Sequence, residues 1–140
     1  MRRASSGALA LLAVLAAGAT ALVHHRVAGL PLINDDYLVL RPWSRAELLS
    51  TFTGTWDPYH FNEVYHRPLE SLLQAAQFWA FGINAGALHL LSLAGVALVG
   101  WLLGIFVKRE SDSVVAAGAA VLIFIAHPAL PDAVSAWIFQ

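Results

Sequence analysis

Three runs without a formal charge dominate this sequence: Ala4 to Val23, Ser71 to Val107 and Ser113 to Pro131. With 59% hydrophobic and 12% charged residues over 140 positions, the chain has too little polar surface to shield such runs from water, and lipid is the solvent they call for. The first run is twenty residues, about 30 Å as a helix and therefore one hydrocarbon core. The second, at 37 residues, would extend about 55 Å, too far for one straight crossing. It must break, and Gly82-Ile83-Asn84 is where glycine and asparagine supply the turn conformations of a helix end.

The fold class that follows is all-α: a polytopic membrane helical protein with about three transmembrane helices and two interfacial amphipathic helices. Passes are expected near 7 to 27, 85 to 107 and 113 to 130, and interfacial helices near 44 to 53 and 68 to 81. The layout is a first pass within 1–28, a loop over 29–84, then the second and third passes. In the short helix Glu70, Gln74 and Gln77 share one face and Leu69, Leu72, Leu73, Ala76 and Ala80 cover much of the rest, a pattern for an interface or a cavity wall. Ser44-Arg45-Ala46-Glu47 fits a capping box ahead of Leu48, Leu49 and Phe52. Trp43, Trp56, Tyr59 and Tyr65 are rings of the kind that settle at headgroup level.

Arg2-Arg3 before the first pass and Lys108-Arg109 after the second predict a cytoplasmic N-terminus, an outer loop and residence in the cytoplasmic membrane. The loop taken to Glu70 holds six acids against four arginines. A cleavable signal peptide, with Ala-x-Ala sites near Ala17 to Ala21, is the competing account of the first segment and also leaves the loop outside. Basic residues occur only in ones and twos at a net charge of −1, which excludes nucleic acid as a partner. There is no cysteine, hence no disulfide framework or thiolate metal site.

The candidate chemistry lies in the loop. Asp35 and Asp36 follow the apolar Leu30-Pro31-Leu32-Ile33. One account is a solvated Asn-Asp-Asp turn; the other is a general base at the interface whose neighbour raises its pKa or holds a cation. In Tyr65-His66-Arg67-Pro68-Leu69-Glu70, proline suits a first helical position. Arg67 is then either a snorkelling residue or a phosphate ligand at a helix N-terminus. His24, His25, His60 and His66 match no metal-ligand spacing, and no metal site is assigned.

Three pieces of the chain resemble the N-terminal part of the polytopic glycosyltransferases of the C-type fold (GT-C), closest to the bacterial branch with protein O-mannosyltransferase-like and lipopolysaccharide-core glycosyltransferase-like members. Ile33-Asn34-Asp35-Asp36-Tyr37 is similar to the acidic pair that opens the first outer loop. Tyr65-His66-Arg67-Pro68-Leu69, continued by Phe81-Gly82-Ile83-Asn84 and His89, resembles the Tyr-Arg-Pro-Leu signature and the turn and His-Leu after it. Ala126-His127-Pro128, Asp132-Ala133-Val134 and Trp137 look like the stretch that ends the third pass. Two departures are His66, where a second tyrosine is common, and Trp137, one residue late.

The resemblance implies sugar transfer from a polyprenyl-phosphate carrier, a lipid-linked donor, to an acceptor hydroxyl on the outer face of the membrane. Asp35 is the implied base and Asp36 the second choice. Arg67, Tyr65 and His127 are implied to face the substrates, and relatives differ in whether they use a divalent metal. Members have many more passes, so the chain is expected to be the N-terminal portion of such an enzyme, inactive by itself. The alternatives are a small non-catalytic membrane protein that acts as an assembly partner, and a signal-bearing outer-surface binding protein.

Overall fold

The computed structural model describes residues 6–32, 36–54 and 66–130, and among these every regular element is helical, with no strand. The order is α1 (Ser6–His24), a 3₁₀ turn at Val27–Gly29, α2 (Asp36–Val39), α3 (Arg45–Ser50), α4 (Pro68–Phe81), α5 (Ala85–Ser111) and α6 (Val114–Ile125). The chain divides into two units: Met1–Pro31 with Ala85–Phe139, and Leu32–Asn84.

Local chemistry sets most boundaries. Pro68 occupies the first turn of α4 with Arg67 as N-cap, where a missing N–H costs nothing. Gly82 ends that helix at φ 60°, its N–H on the Phe78 carbonyl; a side chain is strained there, and glycine is not. α5 runs on through Lys108, Arg109 and Glu110 to Ser111, past the expected end at 107, because the charged turn still forms helix. It stops where Asp112 takes φ 52°, a left-handed conformation that aspartate tolerates. Lys108 Nζ holds the Asp112 carbonyl at 2.9 Å. Ser113 then caps α6, accepting from the Ala116 N–H at 3.1 Å.

α1 and α5, at 19 and 27 residues, are long and apolar enough to cross a membrane, about 28 and 40 Å respectively. Only 17% of either apolar stretch is buried within the fold, unlike the core helix of a soluble protein. Their outward residues include Leu22, Leu98 and Phe106. α6 has 12 residues, about 18 Å, short of the expected 113 to 130; Pro128 disfavours helical backbone in the residue before it, and Ala126–Leu130 turns instead. Among the described residues two helices therefore have the length of a crossing, and α6 is a shorter apolar helix beside them.

In the first unit α5 runs antiparallel to α1 and α6. The Trp101 indole N–H donates to the Leu9 carbonyl at 3.1 Å, so the start of α1 lies beside the C-terminal half of α5, while Leu93 near the start of α5 packs on Val27. The His24 Nε2–H donates to the Ile125 carbonyl at 3.0 Å, joining the C-terminal ends of α1 and α6. Leu12, Ala16, Ala117, Val121 and Ile125 form the core. One end of this unit thus carries the close of α1, the start of α5 and the His127 turn; the other carries Lys108 and Arg109.

Close approach depends on glycine. A Cβ on Gly104 would meet Val121 Cγ2 at 2.8 Å and Leu12 Cδ2 at 3.4 Å, and one on Gly100 would meet Ile125 Cδ1 at 3.4 Å. Such small-residue contacts are how helices associate where the solvent is itself apolar. Gly104→Leu is expected to destabilise this unit by about 1–3 kcal/mol through overpacking, seen as a lower thermal midpoint in detergent. Gly18→Ala, whose added carbon meets nothing within 4 Å, should leave the midpoint unchanged or raise stability by up to about 1 kcal/mol.

Candidate functional site

The loop residues singled out by sequence belong to the Leu32–Asn84 unit, and Trp43 organises it. Its buried ring packs with Leu48 of α3 and Ala75 of α4, and its indole N–H donates to the Val39 carbonyl of α2 at 2.8 Å. Arg41 lies over that ring, 4.3 Å from its centroid, and its Nη1 meets Glu47 Oε1 at 2.8 Å. The expected capping box is present: Ser44 N–H donates to Glu47 Oε2 at 2.7 Å and Glu47 N–H to Ser44 Oγ at 3.2 Å. One carboxylate therefore caps α3 and anchors the arginine between α2 and α3.

Asp35 and Tyr65 lie outside the described residues, as do Asp132 and Trp137. Asp36 opens α2; its side chain is also outside them. Arg67 caps α4 with its carbonyl, which accepts from the Ser71 N–H at 3.1 Å and Oγ–H at 3.2 Å. Its guanidinium donates to Glu70 Oε2 at 3.4 Å, and Gln74 Nε2 donates to Glu70 Oε1 at 3.2 Å. His66 donates from Nδ1 to the Gly54 carbonyl at 3.0 Å, which ties the end of the α3 segment to the approach to α4. His127 stands in the other unit, exposed, its Nδ1 accepting from the Ala129 N–H at 3.2 Å. Among the described residues no three His, Cys, Asp or Glu side chains gather as a metal site.

The structure shows which way groups named from the sequence turn. α4 carries its polar stripe inward: Ser71 is fully buried, Gln74 and Gln77 are 4% and 7% exposed, and Leu69, Leu73 and Trp79 are 74%, 57% and 61% exposed. The Oε1 atoms of both glutamines are buried and meet no hydrogen-bond donor. His89, in the second turn of α5, is fully buried with both ring nitrogens unpaired. Orphaned polar atoms are rare in folded proteins and ask for a reason. The polar face of α4 was legible from its sequence; which side it turns to was not.

Comparison with protein-family models, curated proteins and solved structures returned no match.

Glu47 gives the loop a measurable signature. Its carboxyl is lowered from 4.5 to about 2 by the Ser44 side chain first, then the Ser44 N–H, then Arg41. A depressed carboxylate stabilises the fold fully above its unfolded value and loses that contribution as pH falls through its folded value. Amide protection in α3, corrected for intrinsic exchange, should therefore decline from pH 4.5 towards 2 in hydrogen-exchange measurements. The effect is small, since the side chain is 43% exposed and screened by water. Glu47→Gln should flatten the decline; an unchanged profile in that variant would show that another group is responsible.

Proposed function

We propose that this chain supplies the first outer loop and flanking passes of a membrane glycosyltransferase, which moves a sugar from polyprenyl phosphate to an acceptor hydroxyl on the outer face of the cytoplasmic membrane. α1, α5 and α6 continued through the turn to Leu130 are its first three crossings.

The observation that carries this reading is the polarity of the three-helix unit. The end of α1 leading to Asp35-Asp36, the start of α5 reached from Arg67 through α4, and His127 share one end. Lys108 and Arg109 lie at the opposite end. Basic residues favour the cytoplasmic side, so the acid pair and the His-Pro turn would open onto one outer compartment. Apolar outward faces on α1, α5 and α6, including Leu22 and Val115, suit a bilayer as the surroundings.

In this mechanism Asp35 accepts the proton of the acceptor hydroxyl as its oxygen attacks the anomeric carbon. The bond to the carrier oxygen breaks, its electrons leave with polyprenyl phosphate, and the Arg67 guanidinium, suited to a phosphate by its planar donor fork, offsets the charge. Glu70 accepts from Arg67 at 3.4 Å. A divalent cation, where relatives use one, would add charge stabilisation at the acid pair.

In membranes from cells producing the enzyme, Asp35→Asn should lower sugar transfer by about 10²–10⁴, the usual contribution of a general base, with protein levels unchanged; full activity in that variant rules out Asp35 as the base. Topology has its own test, since the chain has no cysteine. Asn34→Cys and His127→Cys should react with an impermeant maleimide in intact cells, and Ser111→Cys only after permeabilisation. Labelling of positions 34 and 127 from opposite sides overturns the reading, and with it the choice over a non-catalytic assembly partner.

A further inference from the structure

α4 is amphipathic in the opposite sense to a helix on a water-soluble surface. Its buried stripe is polar, with Ser71, Gln74 and Gln77, and its open stripe is apolar, with Leu69, Leu73 and Trp79. An interfacial helix would turn its polar stripe to water. Here water-facing leucine and buried glutamine would both be unfavourable, and both become reasonable if the open stripe meets acyl chains and the buried stripe meets a polar ligand.

The unpaired atoms say what kind of ligand. Gln74 Nε2 is already committed to Glu70 Oε1, which leaves Gln74 Oε1 as an acceptor; Gln77 Oε1 is a second acceptor, and neither has a donor. An amide carbonyl oxygen only accepts. A phosphate dianion also only accepts and cannot satisfy these atoms, so the missing partner carries O–H or N–H groups. The two glutamines are three residues apart, which places their Cβ atoms about 5–6 Å apart on one helix face, the scale of a single sugar ring.

We propose that the inward stripe of α4, with Gln74 and Gln77 at its centre, binds the hydroxyl-bearing sugar of a lipid-linked substrate, while the outward stripe of Leu69, Leu73 and Trp79 lies against acyl chains. The choice of a lipid-linked sugar rests on the transferase reading above; the demand for a donor-rich ligand does not. Ser71 positions the first turn by donating to the Arg67 carbonyl. Glu70 fixes the Gln74 amide so that its oxygen is the free end. Gln74 and Gln77 are thus specificity residues for the sugar, distinct from the base that would activate the acceptor.

The test compares two lipids, polyprenyl phosphate carrying one hexose (mannosyl, glucosyl and galacturonosyl forms in turn) and bare polyprenyl phosphate. Each is titrated into the protein in nanodiscs of phosphatidylethanolamine and phosphatidylglycerol, so that an ammonium headgroup is in excess in both arms. The unmodified protein should bind one hexosyl form about tenfold or more tighter than the bare lipid, as hydrogen bonds to buried acceptors would give. Gln77→Leu, close in size and without the acceptor, should lose most of that preference. Gln77→Glu, which keeps an acceptor, should retain it, and Asp35→Asn should bind with the preference intact.

Equal binding of bare lipid and all three hexosyl forms by the unmodified protein overturns the proposal, as does a preference undiminished in Gln77→Leu. In the latter case the amides are merely orphaned, and Gln77→Leu should raise the thermal midpoint, because replacing an unpaired buried polar group by an apolar one removes a desolvation cost. Failure of sugar transfer in the earlier assay, with the binding preference present, would instead sink the transferase reading and leave this site standing.

Discussion

A helix whose outer surface is leucine, valine and phenylalanine needs surroundings as apolar as itself, and that requirement removes the usual force holding helices together. In a bilayer a leucine gains little by leaving lipid for protein, so association depends on close packing and hydrogen bonding. The three-helix unit is built on those terms. Gly104 and Gly100 bring α5 against Val121 and Ile125 of α6, and hydrogen bonds cross between helices from Trp101 to the Leu9 carbonyl and from His24 to the Ile125 carbonyl. The second answers a specific need. Ile125 is the last residue of α6, and the N–H that would reach its carbonyl in a longer helix, that of Ala129, donates to His127 Nδ1. The turn at Pro128 frees the carbonyl and the imidazole of α1 takes it up, so the end of one helix is completed by the end of another.

The same requirement explains α4. Hydrophobic residues turned outward and glutamines turned inward would be an error in water; next to acyl chains the open stripe is the favourable side, and the buried stripe has to find polar company within the protein. Glu70 supplies part of it, accepting from both Arg67 and Gln74. The two amide oxygens left over are the residue of that incomplete arrangement. Leucine would fill the same volume without the cost of two unpaired acceptors.

What could be read from sequence divides along the range of the interactions concerned. Features set by neighbours a few residues apart appear where expected: the Ser44–Glu47 capping box, the start of α4 at Pro68 and its end before Gly82 are local chemistry and need no knowledge of the fold. The end of α5 at Ser111 and of α6 at Ile125 differ from the hydropathy boundaries, because lysine and arginine are good helix formers even outside lipid, and because His127-Pro128 turns the backbone in a stretch still rich in apolar side chains. Sequence left open whether Gln74 and Gln77 face an interface or a cavity, and gave no sign of the burial of His89. Periodicity shows that a helix has two faces, yet the side that turns outward depends on the solvent and on partners distant in sequence. Asp35 and Tyr65, singled out by their motifs, lie outside the described residues.

The loop unit joins helices that are distant in sequence through a small core of their own. α2 begins at Asp36 and packs on α4, whose N-cap is Arg67. Trp43 links both helices to α3 through the Val39 carbonyl, Leu48 and Ala75, and Arg41 and Glu47 lock the segment between α2 and α3. Packing of this kind fixes the N-terminal ends of α2 and α4 on one unit without relying on the long connection between them. The bulk of Trp43 and its single N–H give the loop a core where the chain would otherwise have only short helices, none long enough to be stable alone.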